Sequence, residues 1–468
     1  MKDLVCPIRQ HSLTDPSAPA VVSGPVSVTY RDLDALVTRY EKKLKAKGIK
    51  RGDRFAILPE ASLQTIVRLF AVWRVGGIVC FLNPRLPRKE LNTLARRMIC
   101  AWSFCSRLSK IPGLSLRLSV PKTWTPLGKV SMDIRCPATM IPTSGSTGAA
   151  KIVAHSLANH FQSAAAANQN IPVKKGDIWL LSLPLYHVSG LSILFRAFSA
   201  GGAVMTANRK QPLGQILRKK PLTHVSLVAT QLFRLLQNNR EKDLRRLKCI
   251  LLGGSAIPPG LIKKSRGKKL PVYLTYGLTE TASQVASTPR YDPRKTMPNL
   301  RALKNVQIKI KKDGEILIKS PAVCLGYWNG RAVRPAADTA GWLHTGDIGE
   351  IREGELTVLG RRDSMFISGG ENIYPEEIER RLMDIEEIER AVVLPAASRE
   401  FGRRPQAFLK TTRPITIERI REALKEHLPK FKIPDAFYAW PVFREKGIKI
   451  QRPDFVEFLK TEKIKRLR

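Results

Sequence analysis

Five short segments spaced along the 468 residues constrain this chain more than any other feature. They share small, hydroxylated or charged residues next to apolar runs, and in chain order they are PTSGSTGAAK (142–151), TYGLTE (275–280), HTGD (344–347), GRRDSMFISGG (360–370) and GIKIQR (447–452). Each segment alone is a weak signal. Together they offer a phosphate-binding loop, carboxylates that suit a metal ion or hydroxyl groups, and a lysine for charge stabilisation. This set predicts a site that joins a carboxylate to the α-phosphate of ATP.

The composition predicts a folded, multidomain chain with an anionic partner. The apolar fraction of 43% is sufficient for packed cores, and the length is typical of about three domain-sized units. Lysines and arginines exceed acidic residues by 41, but this surplus does not distinguish nucleic acid, anionic lipid, ATP and coenzyme A. Nucleic acid is not expected as a partner, because the sequence lacks aromatic-interleaved basic repeats and zinc spacings.

Cysteine usage and hydropathy predict a cytoplasmic protein without a transmembrane segment. The seven cysteines are scattered and include no CxxC pair, so neither a disulfide framework nor a zinc site is indicated. The first residues have no apolar core of signal-peptide length, and no later stretch reaches the roughly 18 uninterrupted apolar residues of a membrane span. Peripheral membrane contact and the oligomeric state stay open.

The pattern of apolar residues predicts an α/β fold for most of the chain. Helical spacing over residues 30–47 is followed by the strand-like RFAILPE (54–60), and this alternation of helix and strand recurs further along the chain. Short alternating runs broken at Asp-Gly and Glu-Gly then predict hairpins of a small β-rich subdomain over about 303–361. We expect an N-terminal ATP- and acid-binding domain of residues 1–361 and a mobile α+β C-terminal domain of residues 362–468.

The first segment has the composition of a phosphate-binding loop. Glycine has no side chain, so backbone N–H groups can approach phosphates closely. Hydroxyl groups and an ammonium group supply further contacts. The candidate ATP-binding residues of this loop are Thr143, Ser144, Gly145, Ser146, Thr147, Gly148 and Lys151. The loop is not a Walker A motif, because two alanines separate the second glycine from the lysine. A flexible Ser/Gly turn is the simpler alternative.

This loop resembles that of the adenylate-forming superfamily of acyl-CoA synthetases, luciferases and peptide-synthetase adenylation domains. Ala150 stands where the usual form has proline, and the loss of proline is expected to reduce loop rigidity without removing a ligand. The resemblance implies ATP, Mg²⁺ and coenzyme A as ligands. It implies that Thr147 and Glu280 hold the magnesium, that Tyr276 lies along the adenine, and that Gly277 and Thr279 belong to the ATP site. A carboxylate that is merely solvated or caps a helix stays the alternative for Glu280.

By the same resemblance, HTGD and GRRD hold the ribose. Asp347 is expected to accept both ribose hydroxyls with assistance from Arg361, because a carboxylate offers acceptor sites without a competing proton. A turn carboxylate and surface charge remain the simpler interpretations of these two residues.

The last two motifs resemble the moving parts of the superfamily. Asp363 matches the hinge about which the C-terminal domain swings between two half-reactions, and Gly369 and Gly370 match the border of the coenzyme A channel. Lys449 matches the catalytic lysine that bonds the reacting carboxylate and the α-phosphate oxygens. A tight glycine turn and a solvent-facing lysine are the corresponding alternatives, and only motif position separates Lys449 from Lys446.

Further segments resemble the ortho-succinylbenzoate CoA ligases of menaquinone synthesis. They include LPLYHVSGLSILFRAF (183–198), YGLTETASQV (276–285) and EFGRRPQAF (400–408). The implied substrate is an aromatic dicarboxylate, so its pocket needs a cation or several donors opposite the second carboxylate. The candidate acid-binding residues are Ser189, Arg196, Ser283 and Gln284, and His187 is expected to gate or line the pocket as a catalytic residue. A packed structural histidine and a solvent-facing arginine are the alternatives.

Two other functions stay open on the sequence. In the first, the same activation chemistry acts on another aryl or medium-chain acid, or the acyl group is transferred to the phosphopantetheine of a carrier protein. A non-enzymatic basic protein that binds nucleic acid or a membrane surface would instead show strongly salt-dependent binding and no ATP–pyrophosphate exchange.

Overall fold

The structure, a computed structural model, describes residues 3–105, 107–108, 111–114, 128–143, 150–206, 211–219, 221–254, 257–289, 300–369, 371–441, 452–461 and 467. The α-helices within these ranges are α1 (Pro7–Thr14), α2 (Tyr30–Ala46), α3 (Leu63–Arg74), α4 (Arg88–Arg97), α5 (Leu157–Asn170), α6 (Val188–Ser199), α7 (Leu213–Lys219), α8 (Ala229–Gln237), α9 (Glu241–Arg245), α10 (Pro259–Gly267), α11 (Pro375–Leu382), α12 (Ile417–Lys425) and α13 (Arg452–Thr461).

The strands within the same ranges are β1 (Asp3–Val5), β2 (Pro19–Ser23), β3 (Val26–Thr29), β4 (Arg54–Ile57), β5 (Ile78–Phe81), β6 (Trp102–Ser103), β7 (Ser131–Asp133), β8 (Pro137–Thr143), β9 (Lys151–Ser156), β10 (Ile178–Leu180), β11 (Ala203–Thr206), β12 (His224–Leu227), β13 (Cys249–Leu252), β14 (Val272–Tyr276), β15 (Ala286–Ser287), β16 (Arg301–Ala302), β17 (Gln307–Ile310), β18 (Glu315–Lys319), β19 (Gly326–Trp328), β20 (Val333–Arg334), β21 (Leu343–Arg352), β22 (Glu355–Arg361), β23 (Phe366–Ser368), β24 (Glu371–Ile373), β25 (Ile388–Ser398), β26 (Gly402–Thr411) and β27 (Ala436–Ala439).

Two large sheets organise the chain up to about residue 334. One sheet has the strand order β16-β15-β14-β13-β12-β10-β11-β2-β3, and its strands from β14 to β2 run parallel. The other has the order β20-β19-β9-β8-β5-β4-β6, with β8, β5, β4 and β6 parallel. Central parallel strands are apolar along their whole length because helices cover both faces. The predicted α/β class is confirmed.

Helix α2 shows how the sequence specifies these layers. Its N-cap, Thr29, accepts a hydrogen bond from the Asp32 N–H, which satisfies one of the unpaired donors of the first turn. Leu33, Tyr40 and Leu44 recur at helical spacing and are buried on one face. The helix ends one residue before the limit predicted from its periodicity.

A four-stranded antiparallel sheet, in the order β17-β18-β21-β22, follows the two large sheets. Leu343 of the ten-residue strand β21 is buried in a small apolar core with Ile316 and Ile318 of β18. Asp347 lies in the middle of the same strand and contacts Tyr276 of β14. Strand β21 therefore positions one of the predicted site residues.

The chain from β23 onward has apolar cores of its own. Helices α11 and α12 pack on the sheet β25-β26-β27, and Phe455 of α13 packs against the opposite face of that sheet. Contacts with the preceding part include the Gly260 N–H donating to Asp384 at 3.0 Å. Arg380 also donates to the carbonyl of Val358 at 3.1 Å. In the part of the chain that is described, no helix combines the length and hydropathy needed to cross a membrane.

Candidate active site

One cleft of about 2020 Å³ lies between the N-terminal sheets and the C-terminal part of the chain. It is lined by ten residues that the sequence assigned to the site: Thr143, Lys151, His187, Tyr276, Gly277, Thr279, Glu280, Asp347, Arg361 and Asp363. These residues come from segments up to 220 positions apart and meet because the ends of β8, β14 and β22 and the middle of β21 border this cleft. The assignment of individual roles to them stays a prediction.

The base of the phosphate loop is a β-hairpin. Thr143 pairs with Lys151 across the antiparallel strands β8 and β9, and the Thr143 hydroxyl donates to the Lys151 carbonyl at 3.3 Å. The predicted loop residues between them lie outside the described residues, and they are Ser144, Gly145, Ser146, Thr147 and Gly148. The described base places the Lys151 side chain at the cleft.

Glu280 lies at the cleft in a single 3₁₀ turn that follows β14. Its backbone carbonyl accepts a hydrogen bond from the Cys324 N–H at 2.7 Å, and its carboxylate accepts one from the Tyr327 hydroxyl at 3.0 Å. The Lys151 ammonium lies 5.5 Å from the centre of the Tyr327 ring, within cation–π range. Tyr327, which the sequence did not single out, therefore links the loop lysine to the candidate magnesium ligand.

The donor chemistry at Glu280 fits a magnesium ion that arrives with ATP. A carboxylate oxygen is a hard ligand, and Mg²⁺ is commonly held by one or two carboxylates together with substrate phosphates. Among the described residues, no group of three or more His, Cys, Asp or Glu side chains forms a metal cluster. Glu280 is thus suited to complete the shell of a nucleotide-bound ion.

A buried polar chain supports the Glu280 turn from behind. The His155 Nε2–H donates to the Thr279 carbonyl at 2.7 Å, which fixes the His155 tautomer. Thr139 lies between His155 and His160. Its hydroxyl is 2.9 Å from His160 Nε2 and 3.5 Å from His155 Nδ1. Burial lowers the pKa of His155 to about 4 and holds the pKa of His160 well below its usual range. Both rings are therefore neutral at pH 7.

Acid is expected to destabilise the fold through these histidines. The folded-state pKa of His155 lies below its ordinary value of 6.5, so the unfolded chain binds more protons as the pH falls from 6.5 to about 4. The free energy of unfolding should fall by about 2 kcal/mol per such histidine at pH 5. Thermal unfolding at pH 7 and pH 5 measures this loss. His155→Gln, which keeps an N–H donor but does not titrate, should show a smaller pH dependence; an unchanged dependence would contradict the assignment.

The candidate ribose site is a preformed network around a buried carboxylate. Asp347 accepts hydrogen bonds from the Tyr276 hydroxyl at 2.6 Å and from Arg361 at 2.9 Å. Burial raises the pKa of Asp347, while Arg361 and Tyr276 oppose that rise. Each carboxylate oxygen still has a further lone pair for a ribose hydroxyl. Tyr276 thus makes a contact that its predicted role beside adenine did not include.

Gly277 is required by a close backbone approach. A Cβ atom at this position would lie 1.6 Å from the carbonyl oxygen of Ser283, so any side chain would force the two backbone segments apart. Ser283 itself has φ of +119°, a conformation that residues other than glycine rarely adopt. The turn after β14 therefore folds back tightly, and the Ser283 backbone packs directly against Gly277 of the TYGLTE segment (275–280).

Arg196 is a buried guanidinium next to this turn. Only 1% of its surface is exposed, and it donates to the Ser283 hydroxyl at 3.2 Å. Its guanidinium also lies 5.4 Å from the centre of the Trp179 ring. Burial lowers the pKa of Arg196 to about 10, so the group stays charged at pH 7. No carboxylate of the described residues forms an ion pair with it.

The other candidate acid-binding residues lie around α6 and the same turn. His187 is the exposed N-cap of α6 and lines the cleft, and the Ser189 carbonyl accepts a bond from the Ser192 hydroxyl within that helix. Gln284 is buried, and neither of its amide atoms has a hydrogen-bond partner among the described residues. Ser189, Arg196, Ser283 and Gln284 do not line the cleft itself, whereas His187 does.

The predicted hinge and channel residues lie between the two parts of the chain. Asp363 stands in a 3₁₀ turn between β22 and β23 and accepts a bond from Arg361 at 3.3 Å. Gly369 has φ of +56°, and its N–H donates to the Phe401 carbonyl at 3.0 Å. Gly370, Lys446 and Lys449 lie outside the described residues. Motion about Asp363 stays a prediction.

Arg97 is a further residue that the sequence did not indicate. It ends α4 and donates to the carbonyl of Ala150 at 2.9 Å, at the position where the phosphate loop returns to β9. The Trp328 indole N–H caps the Arg97 carbonyl at 2.8 Å, and the guanidinium of Arg54 covers the Trp328 ring at 4.4 Å. Arg97 thus anchors the loop at the residue that replaces the usual proline. No local pattern could have shown this contact, because it joins positions 53 apart.

Removing the Arg97 anchor is expected to weaken ATP binding selectively. In Arg97→Met the KM for MgATP should rise roughly three- to tenfold, as expected for the loss of one charged hydrogen bond at a partly exposed site. Initial rates at varied MgATP measure the change. Arg96→Met removes a neighbouring exposed charge from the same helix and should leave KM unchanged. Adding Ala150→Pro to Arg97→Met should restore part of the loss; equal effects of both single variants would contradict the anchor.

The two large sheets and the cleft beside them fit an AMP-binding enzyme, and the chain belongs to that family. The family matches residues 8–328. Among curated relatives, the chain is similar to the 2-succinylbenzoate–CoA ligase of Geobacillus sp. (strain WCH70), with 32% identity over 455 residues and 92% of each chain covered. The predicted resemblance to the adenylate-forming superfamily is confirmed.

Solved structures give the same result. The chain is similar to o-succinylbenzoate CoA synthetase (MenE) from Bacillus subtilis in complex with the acyl-adenylate intermediate OSB-AMP, with a TM-score of 0.86, 28% identity and all of both chains covered. It is also similar to the B. subtilis enzyme in complex with ATP and magnesium ion, with a TM-score of 0.80, 29% identity, and coverage of 93% of this chain and 96% of that one.

Proposed function

We propose that this protein is an AMP-forming 2-succinylbenzoate–CoA ligase. Its family membership and its similarity to named 2-succinylbenzoate–CoA ligases over most of both chains support this function. The choice of acid rests on Arg196. This buried cation lies beside the turn that follows β14, and it has no carboxylate partner among the described residues. An unpaired buried charge is costly, so a substrate carboxylate is the natural group to compensate it.

The nucleotide occupies the cleft in this proposal. The phosphate loop from Thr143 to Lys151 binds the phosphates, Asp347 and Arg361 hold the ribose, and Tyr276 flanks the adenine while its hydroxyl orients Asp347. Thr147 and Glu280 hold the magnesium that arrives with ATP. The metal bridges the phosphate oxygens and reduces the charge that repels the incoming carboxylate.

In this proposal the acid is held next to the turn that follows β14. Arg196 and Ser283 face the benzoate carboxylate, with Ser189 and the unsatisfied amide of Gln284 as further polar groups, and His187 lines the entrance. The charge on Arg196 keeps that carboxylate ionised and away from the phosphate. The succinyl carboxylate is left to react.

The reaction has two half-reactions. In the first, a succinyl carboxylate oxygen attacks the α-phosphorus, the bond to the bridging oxygen breaks, and pyrophosphate leaves while Lys449 stabilises the transferred charge. In the second, rotation of the C-terminal domain, residues 362–468, about Asp363 brings Gly369 and Gly370 to the channel. The coenzyme A thiol then attacks the acyl carbon, loses its proton and expels AMP.

The cytoplasm is the proposed compartment. All seven cysteines are free thiols, and no disulfide joins any pair of them. Free thiols persist in a reducing compartment.

An acid panel tests the proposal. Pyrophosphate release is measured with 2-succinylbenzoate, benzoate and octanoate, each with and without coenzyme A. We expect release with 2-succinylbenzoate to exceed that with the other two acids by at least tenfold, and AMP release to require coenzyme A. Equal or better activity with benzoate or octanoate would overturn the choice of acid, and AMP release driven by a carrier protein instead of coenzyme A would overturn the acceptor.

A further inference from the structure

One face of the nine-stranded sheet carries an unusual concentration of positive charge. Between residues 213 and 270, a segment that contains helices α7 to α10, the sequence has fourteen lysines and arginines and two acidic residues. Of those that the structure describes, Lys263 and Lys264 line the active-site cleft, and the others do not. The proposed ligase reaction therefore does not account for them.

The four helices form a single layer. Their apolar residues share one buried core with every second residue of the strands beneath, including Leu217 of α7, Leu232 of α8, Leu244 of α9 and Leu261 of α10. The alternate strand residues, such as Leu251 and Trp179, belong to the core on the opposite face of the sheet. All four helices thus cover the same face, and the parts of their outer surfaces that lie outside the cleft are here called the basic layer.

The basic layer has a net positive charge because its two acidic residues pair with only two of its cations. Glu241 lies 2.9 Å from the Lys268 ammonium, and Asp243 lies 3.8 Å from Arg240. The other cations that are exposed in the described part of this segment are Arg218, Arg234, Lys242, Arg245, Arg246, Lys248, Lys263, Lys264 and Lys269, of which Lys263 and Lys264 line the active-site cleft. Those outside the cleft lie on or just after α7, α8, α9 and α10 rather than within one short segment.

We propose that the basic layer binds the surface of an anionic lipid bilayer. Neighbouring helices pack about 10 Å apart, so four of them display their cations across a broad area that matches a sheet of headgroups better than a single phosphate ligand. In the described part of 213–270 no aromatic side chain is exposed for base stacking, which disfavours single-stranded nucleic acid. No large apolar side chain described there is exposed either, so binding is electrostatic, without insertion.

The test is vesicle cosedimentation of the full chain with matched charge reversals. Wild type should bind vesicles with about 30% phosphatidylglycerol at about 50 mM salt, release them as salt rises, and ignore pure phosphatidylcholine vesicles. The triple variant Lys242→Glu, Arg245→Glu, Lys269→Glu should weaken vesicle binding at least tenfold. The control Lys42→Glu, Lys47→Glu, Lys50→Glu makes the same change in net charge on and just after α2, and should weaken it less than threefold.

Pyrophosphate release by both triple variants checks that they are folded and active, and it separates this proposal from the proposed function. Failure of wild type to bind anionic vesicles would overturn the membrane proposal, as would equal weakening in the control. A DNA duplex bound more tightly than the vesicles at the same salt, with binding lost in the first triple variant, would also overturn it and assign the layer to nucleic acid.

Discussion

Replacing Lys449 with alanine is expected to slow acid-dependent pyrophosphate release by roughly 10²- to 10³-fold. An oriented ammonium beside the attacking carboxylate and the α-phosphate stabilises charge that develops only in the transition state. The loss should therefore appear in kcat rather than in KM for MgATP. Stopped assays of pyrophosphate over a range of ATP concentrations measure both constants.

The division of labour between the half-reactions gives this substitution a second readout. Lys449→Ala should form the thioester from supplied acyl-adenylate and coenzyme A at close to the wild-type rate, because the proposed rotation withdraws Lys449 before that step. Lys446→Ala, which removes a lysine from the same segment, is the matched control and should leave both steps intact. Equal loss of adenylation and thioester formation in Lys449→Ala would contradict the proposed role.

Replacing Arg196 with methionine should lower kcat/KM for 2-succinylbenzoate by about 10²-fold or more. Methionine keeps much of the side-chain volume but would leave the benzoate carboxylate of the proposed site buried without a cation, which costs several kcal/mol. Activation of benzoate, which has no second carboxylate, should change little. The ratio of the two kcat/KM values measures the loss of discrimination.

Stability separates a binding role of Arg196 from a structural one. The guanidinium is 1% exposed and has no ion pair with a described carboxylate, so its removal relieves an uncompensated buried charge. Arg196→Met should therefore unfold at the same temperature as wild type or higher. A lower unfolding temperature together with equal loss of activity on both acids would show that Arg196 serves packing.

The sequence predicted the α/β class and many elements of this fold because these depend on local patterns. Apolar periodicity placed α2 within one residue, and Asp-Gly and Glu-Gly turns located the hairpins β17–β18 and β21–β22. Glu280 follows β14, Arg361 ends β22 and Asp347 lies within β21, and all three line one cleft. Their individual roles remain predictions.

Contacts between distant positions could not be predicted in this way. The bond from Tyr276 to Asp347 spans 71 positions, and the one from Arg196 to Ser283 spans 87. Tyr327 and Arg97 show no motif, since an isolated tyrosine or a helix-terminal arginine is usually a surface residue. The burial of Arg196 also depends on α6 lying beneath the turn after β14, which is a property of packing rather than of any local pattern.

ATP–pyrophosphate exchange without coenzyme A is the most direct test of the central claim that this chain forms an acyl-adenylate. Label should pass from pyrophosphate into ATP only when 2-succinylbenzoate and magnesium are present, and coenzyme A should then convert the intermediate to a thioester with one AMP released per thioester. Exchange that proceeds without any acid, or thioester formation that releases ADP and phosphate, would contradict it.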